Sequence, residues 1–256
     1  MSTSQQVTLI VDVDTTSALL SPADDWQNFE DSVWYGGNAV RSNSAYSLAS
    51  FNMSFHGTSI TLYGYTDSGS VSLDTGRLAN LSFPNPKNAA TYWYQPPSLP
   101  DQEHELHAWV SNNTYIDYAL IGAGSTTNLS GTTIFVDDAN EDEVWYSGEW
   151  TVERDIAYPH GSSNPNPNSL SLYDAANSTV HYSGTPGDSF EFHFSGKSFI
   201  GYHILATISS HPTGSNISIY GIYLPGNSTV NFTMDDITRR IDYSQDLSGP
   251  SSTINQ

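Results

Sequence analysis

The stretch Phe51-Asn52-Met53-Ser54-Phe55-His56-Gly57-Thr58-Ser59-Ile60-Thr61-Leu62-Tyr63 decides the fold class. Apolar and polar residues alternate over 51–55 and again over 60–63, with Gly57-Thr58-Ser59 between them. A period of two sends every second side chain to one face of a half-buried strand; an amphipathic helix would repeat near 3.6. The alternation returns in Ser189-Phe190-Glu191-Phe192-His193-Phe194, in Ile217-Ser218-Ile219-Tyr220 and in Val230-Asn231-Phe232-Thr233-Met234. Gly, Pro, Asn, Asp and Ser clusters break these runs at short intervals, and no stretch keeps a helical period for three turns. The expected fold is all-β, with antiparallel sheets packed as two tandem jelly-roll-like sandwiches.

Two sandwiches are expected because the pattern occurs twice. Val11-Asp12-Val13-Asp14 precedes Trp26 as Val136-Asp137-Asp138 precedes Trp150, and Val33-Trp34-Tyr35-Gly36-Gly37 matches Val180-His181-Tyr182-Ser183-Gly184. His56-Gly57-Thr58-Ser59-Ile60-Thr61-Leu62-Tyr63-Gly64 finds its counterpart split between Ser195-Gly196 and Ser215-Asn216-Ile217-Ser218-Ile219-Tyr220-Gly221. The first sandwich is assigned to 5–122, a Gly/Ser/Thr-rich linker to 123–131, and the second sandwich to 132–246, followed by a disordered tail over 247–256. The second copy reads as incomplete, because after Asp235 it offers no match to the first copy's Leu99–Val110 and Tyr115–Leu120. The segment Lys197–Gly214 interrupts the repeat. Gly196-Lys197-Ser198 and Pro212-Thr213-Gly214 are encodable with splice-donor and splice-acceptor sequences, so it reads as a retained intron translated in frame; a long hairpin is the alternative.

The chain has 256 residues, with 7 Lys plus Arg against 27 Asp plus Glu, for a formal net charge of −20. Such a surface repels phosphates, which argues against nucleic acid and anionic membranes as partners. Cysteine is absent, so disulfides and thiolate chemistry are excluded. No run of about 18 apolar residues is present to span a bilayer. The opening Met1-Ser2-Thr3-Ser4-Gln5-Gln6-Val7 lacks a signal peptide's basic and apolar regions, which by itself points to the cytoplasm. Asn52, Asn80, Asn112, Asn128, Asn177, Asn216, Asn227 and Asn231 each open an N-x-S/T sequon, against about four expected by chance. The expectation is therefore an extracellular or cell-surface protein, glycosylated at these positions, with the signal missing from this version of the chain.

Val136-Asp137-Asp138, Trp150, Phe55–Gly64, Leu99-Pro100-Asp101-Gln102-Glu103-His104-Glu105-Leu106 and Ile116-Asp117-Tyr118 resemble the tandem β-sandwich ectodomains of surface proteins in mushroom-forming fungi. The resemblance covers about 11–246. It implies jelly-roll units similar to galactose-binding-like domains, and no catalytic residues. Such proteins typically carry a signal peptide, a Ser/Thr-rich stretch, one transmembrane helix and a cytoplasmic tail, none of which is seen here.

The densest carboxylate run is Asp137-Asp138-Ala139-Asn140-Glu141-Asp142-Glu143. Paired carboxylates serve glycoside hydrolysis, and clustered ones bind Ca²⁺, but this run lacks EF-hand spacing and reads first as a solvated loop. His104 and His107 fall on opposite faces of a strand and cannot share a metal, so His104 is expected to bond locally beside the Asp101 turn. No nucleophile elbow, zinc-helix or phosphate-loop motif is present. Among the aromatics, Trp26 and Trp150 recur in both copies and read as core. Trp93 and Trp34, with Tyr92 and Tyr94, are the candidate sugar platforms, because flat rings with polar neighbours bind sugar C–H faces. The expected function is a non-catalytic module binding glycans or a cell-surface partner, with no catalytic residues, metal or cofactor. The alternatives are a carbohydrate-active hydrolase using a carboxylate pair and a structural spacer at the cell surface.

Overall fold

The computed structural model describes residues 7–13, 19–30, 34–43, 49–74, 76, 79–81, 89–112, 114–154, 157–159, 172–174, 179–192, 198–202, 208–210, 216–220, 228–234, 237–243 and 251–255. Among them the only helical turns are single 3-10 turns at Ala23–Asp25 and Tyr35–Gly37; everything else regular is strand. The chain divides into two compact units, Met1–Thr132 with Ser162–Tyr173, and Thr133–Gly161 with Asp174–Gln256.

Unit 1 contains β1 (Thr8–Asp12), β2 (Leu19–Ser21), β3 (Trp26–Glu30), β4 (Asn38–Ser42), β5 (Ala49–Gly57), β6 (Ser59–Tyr65), β7 (Gly69–Leu73), β8 (Ala79–Leu81), β9 (Ala89–Tyr94), β10 (Gln102–Val110) and β11 (Tyr115–Gly122). One sheet runs β9-β6-β11, with β1 and β4 sharing the other edge of β11 and β3 paired to β4. The second sheet has the order β2-β5-β10-β7-β8. Alternation in sequence becomes alternation in burial: Ala49, Phe51, Met53 and Phe55 of β5 point inward, as do His104, Leu106, Ala108 and Val110 of β10. Ile60 and Leu62 of β6 and Ile116 and Ala119 of β11 are also fully buried, so both sheets contribute to the apolar core. Phe51 meets Trp93 edge to face, with ring centroids 6.0 Å apart.

The chain turns from the second sheet into the first at Gly57-Thr58. A Cβ on Gly57 would lie 2.5 Å from the carbonyl oxygen of Gly122, so only glycine fits there. Thr58 secures the corner by donating its backbone N–H (2.7 Å) and its hydroxyl (3.1 Å) to that same oxygen.

Unit 2 contains β12 (Thr133–Val136), β13 (Val144–Ser147), β14 (Thr151–Arg154) and β15 (Ala157–Pro159). Next comes β16 (Leu172–Asp174), whose first two residues belong to unit 1 and pair with β9. The remainder of unit 2 is β17 (Thr179–Tyr182), β18 (Ser189–Phe192), β19 (Ser198–Tyr202), β20 (Ile208–Ser210), β21 (Asn216–Tyr220), β22 (Ser228–Met234), β23 (Ile237–Tyr243) and β24 (Ser251–Asn255). β13–β18, β14–β17, β22–β23 and β21–β24 pair antiparallel. β12–β19, β19–β21 and β20–β22 pair in parallel, and each of these involves the segment Lys197–Gly214. The long hairpin considered for that segment does not form, because β19 and β20 join different sheets. Ser251–Asn255, read as tail, is strand β24.

Candidate functional site

The far end of β5 builds a groove in unit 1. β2 pairs with β5 only over Ser50–Asn52, which leaves Met53–His56 beside an opening of about 350 Å³. Its apolar wall is Leu9, Val11, Met53, Phe55 and Ile121; its polar rim includes Ser54, His56, Thr126 and Asn128. Residues 123–131, expected as a linker, form one wall of this groove. Asp101 holds them there: its carboxylate accepts the Thr126 N–H at 2.8 Å and the Ser125 hydroxyl at 3.2 Å. These hydrogen bonds, the Thr126 amide first, keep the Asp101 carboxyl below its ordinary pKa despite the opposing effect of partial desolvation. His56 Nε2 lies 2.9 Å from the Thr126 hydroxyl and 3.5 Å from the Asp101 carboxylate, so imidazole, hydroxyl and carboxylate meet at the rim.

Two residues of the groove rim, Ser54 and His56, are also outward members of the five-stranded sheet. The β5–β10 register sets His56 opposite Glu103, Ser54 opposite Glu105, Asn52 opposite His107 and Ser50 opposite Trp109. On the other side of β10, Ser72 faces His107 and Ser70 faces Trp109. These are the outward members of strands whose other members form the core, and Ser54, His56, Glu103 and Glu105 are exposed. His107 Nδ1 is 2.7 Å from Asn52 Oδ1, and its ring stacks near Trp109 with centroids 6.4 Å apart.

Two inward histidines are tied to carboxylates. His104 is buried, with Nδ1 2.9 Å from Asp74 Oδ2 and Nε2 2.9 Å from the Pro100 carbonyl. The local backbone bond expected beside the Asp101 turn is thus present, and Asp74 adds a partner remote in sequence. In unit 2, Asp138 is buried and accepts the His181 N–H at 2.7 Å; its Oδ2 also lies 2.9 Å from His181 Nδ1. Burial pushes the Asp138 carboxyl up, against the hydrogen bonds from His181 and Thr179. Tyr146 stacks flat on the His181 ring, at 4.2 Å and 6°. The acidic run is therefore no solvated loop at its start, where Asp137 and Asp138 are both buried. Unit 1 uses a different strand for the matching role. There the buried Asp117 of β11 accepts the Tyr35 N–H at 2.9 Å, and Val13, which aligns with Asp138, donates its N–H to the Asp117 carbonyl.

The structure separates the four expected platforms. Trp34 is 3% exposed and stacks on Tyr115 at 5.3 Å, while Trp93 is 5% exposed and packs on Phe51, so neither offers a face to a ligand. Tyr92 is 54% exposed and Tyr94 is half-buried. β9 does alternate as read, but the large indole took the core side. The aromatic on the outer face of β10, at the end away from the groove, is the half-buried Trp109, whose signal is the period-two pattern of Glu103, Glu105, His107 and Trp109 against His104, Leu106, Ala108 and Val110. Trp26 is buried, and Trp150 is half-buried against Tyr146 and Phe190. Of the sequon asparagines, Asn112, Asn128 and Asn231 are exposed, Asn52 is half-buried, and Asn80 and Asn216 lie in strands. Asn177 and Asn227 lie outside the described residues. Among the described residues no three His, Asp or Glu side chains are grouped to hold a metal ion, and no helix is long and apolar enough to cross a membrane.

No family model matches the chain. Over 193 residues, 72% of this chain, it is 24% identical to an A type blood alpha-D-galactosamine galactosaminidase of Flavonifractor plautii. The chain spans 16% of that enzyme's length. Among solved structures, the exo-beta-1,3-galactanase of Phanerochaete chrysosporium with galactose superposes with a TM-score of 0.34 at 13% identity, over 44% of this chain and 29% of the galactanase. The catalytic domain of a GH87 alpha-1,3-glucanase superposes with a TM-score of 0.28 at 9% identity, over 88% and 49% of the two chains. The expectation of a protein that is not an enzyme is overturned by the sequence comparison, which matches a galactosaminidase. A binding role had been expected from the repeat, the sequons, the aromatic content and the lack of a catalytic motif, but a glycosidase needs only two suitably placed carboxylates, which leave no short motif.

Proposed function

We propose that this chain is part of a carbohydrate-active hydrolase and that unit 1 engages the sugar at the groove beside His56 and Asp101. The observation that carries the reading is the alignment with a galactosaminidase over 72% of the chain. The groove supports it. Its apolar wall suits the C–H face of a pyranose, and its rim of His56, Thr126 and Asn128 suits hydroxyl groups. No Lys or Arg lines it, and Asp101 and Glu103 stand close by, which favours a neutral or amino sugar over an anionic one. Glu103 and Glu105 point to the same side of β10, with backbones about 7 Å apart along the strand, and so supply the two neighbouring carboxylates that glycoside hydrolysis uses. With eight sequons in the chain, an extracellular setting fits this role, and the surface-protein resemblance is carried as part of the same proposal.

The test is release of galactosamine from an α-linked galactosaminide, with binding of the same sugar measured by calorimetry. Glu103→Gln or Glu105→Gln is expected to lower hydrolysis at least a hundredfold while binding persists; His56→Ala is expected to weaken binding about tenfold. Wild-type protein that neither binds nor cleaves the galactosaminide would overturn the reading.

A further inference from the structure

The groove is the end of a longer path, and we propose that the bound glycan is an extended, non-anionic oligosaccharide lying along β5 and β10, with Trp109 as its distal platform. The inference rests on the reading of the groove as a sugar site and adds to it the length and direction of the ligand. Four consecutive outward pairs carry it: His56 with Glu103, Ser54 with Glu105, Asn52 with His107, and Ser50 with Trp109. His56 and Ser54 belong to the groove rim as well, so groove and sheet face are continuous. From Glu103 to Trp109 is six residues of strand, about 20 Å at the usual rise, which exceeds the length of a single sugar several times over. Every position along the path presents a hydroxyl, amide, imidazole or carboxylate to hydrogen-bond sugar hydroxyls, and the path ends on an indole. The eight paired positions include no Lys or Arg, so uronate or sulfate groups find no counter-charge there.

The experiment compares wild type with Trp109→Ala and Trp109→Phe against galactosamine-terminated oligosaccharides of one to six sugars, with thermal denaturation confirming that each variant is folded. Wild-type affinity is expected to rise with each sugar up to about four and then level off. Trp109→Ala should lose about tenfold in affinity for the four-sugar ligand and nothing for the single sugar, with Trp109→Phe recovering most of the loss. Equal wild-type affinity for one and four sugars would overturn the path while leaving the groove reading intact. A Trp109→Ala loss of the same size for every length would also overturn it.

Discussion

Buried His104 and the solvent-exposed Asp74 face each other at 2.9 Å across the edge of the core. His104 Nε2 faces the Pro100 carbonyl, which can only accept, and Nδ1 faces the Asp74 carboxylate, both at 2.9 Å. With an acceptor facing each ring nitrogen, the doubly protonated ring is the favoured form. Burial alone would lower its pKa, but the hydrogen bonds to Asp74 and Pro100 outweigh burial and raise it above 6.5. The bond from His104 in turn lowers Asp74. The contact joins β10 to the residue that follows β7, where Asp74 adopts φ 55 and its carboxylate also accepts the Glu105 N–H at 3.0 Å.

A pH dependence follows. A histidine raised by folding contributes stability that is complete below its unfolded pKa and disappears as pH climbs through the folded value. Asp74, being lowered, contributes stability that disappears only in acid, as pH falls through its folded pKa. Wild-type protein should therefore exceed Asp74→Asn in stability by about 1–2 kcal/mol near pH 5.5, and the margin should shrink above the raised His104 pKa. Urea denaturation of both proteins at pH 5.5 and 9 measures it. An equal margin at the two values would show that His104 does not carry the charge.

In unit 2, Asp138 accepts from the His181 amide, the His181 ring and the Thr179 hydroxyl, all in a buried setting. Asp138→Ala should destabilise unit 2 by about 3 kcal/mol, because it orphans those donors away from water. Hydrogen exchange should localise the loss, with the amides of 179–182 losing protection while those of β5 and β10 keep theirs.

Gly57→Ala should destabilise unit 1 by about 2 kcal/mol, since the new methyl meets the Gly122 carbonyl and the Ile121 side chain at a corner that cannot retreat. Gly131→Ala is a useful contrast: nothing lies within 4 Å, but φ is +77, so its cost is backbone strain of about 1 kcal/mol. Thermal melts of the two variants should rank in that order.

Asn52 opens a sequon, yet its side chain lies on the glycan path and bonds to His107 at 2.7 Å. Protein made in a glycosylating host and carrying a sugar on Asn52 should fail to bind the oligosaccharides, and the same chain made in a host that does not glycosylate should bind them. Mass spectrometry of the 49–57 region, paired with calorimetry, checks both halves.

Local pattern carried most of the strand assignment, because alternation in β5, β6 and β10 is a backbone property that tertiary contacts only orient. The same pattern could not say which side of β9 is wet. Trp93 and the Tyr92–Tyr94 pair alternate either way, and the choice fell to whichever face meets Phe51 across the sheets. Trp109 was equally legible as an outward residue, but nothing in its own segment shows that it shares a face with Asn52 and His56 of a strand about fifty residues earlier in the chain. The acidic run at 137–143 looked solvated because charge runs usually are; Asp138 departs from the rule because the backbone and ring of His181 satisfy it.

From the amino acids alone came the all-β class, the acidic net charge and the absence of cysteine chemistry, since each depends on composition or on spacing within one segment. The groove, the outward rows facing one another across β5 and β10, and the pairings of His104 with Asp74 and His181 with Asp138 were decided only in three dimensions. They depend on register between strands far apart in the chain, and shifting a register by one residue sends every side chain to the opposite face.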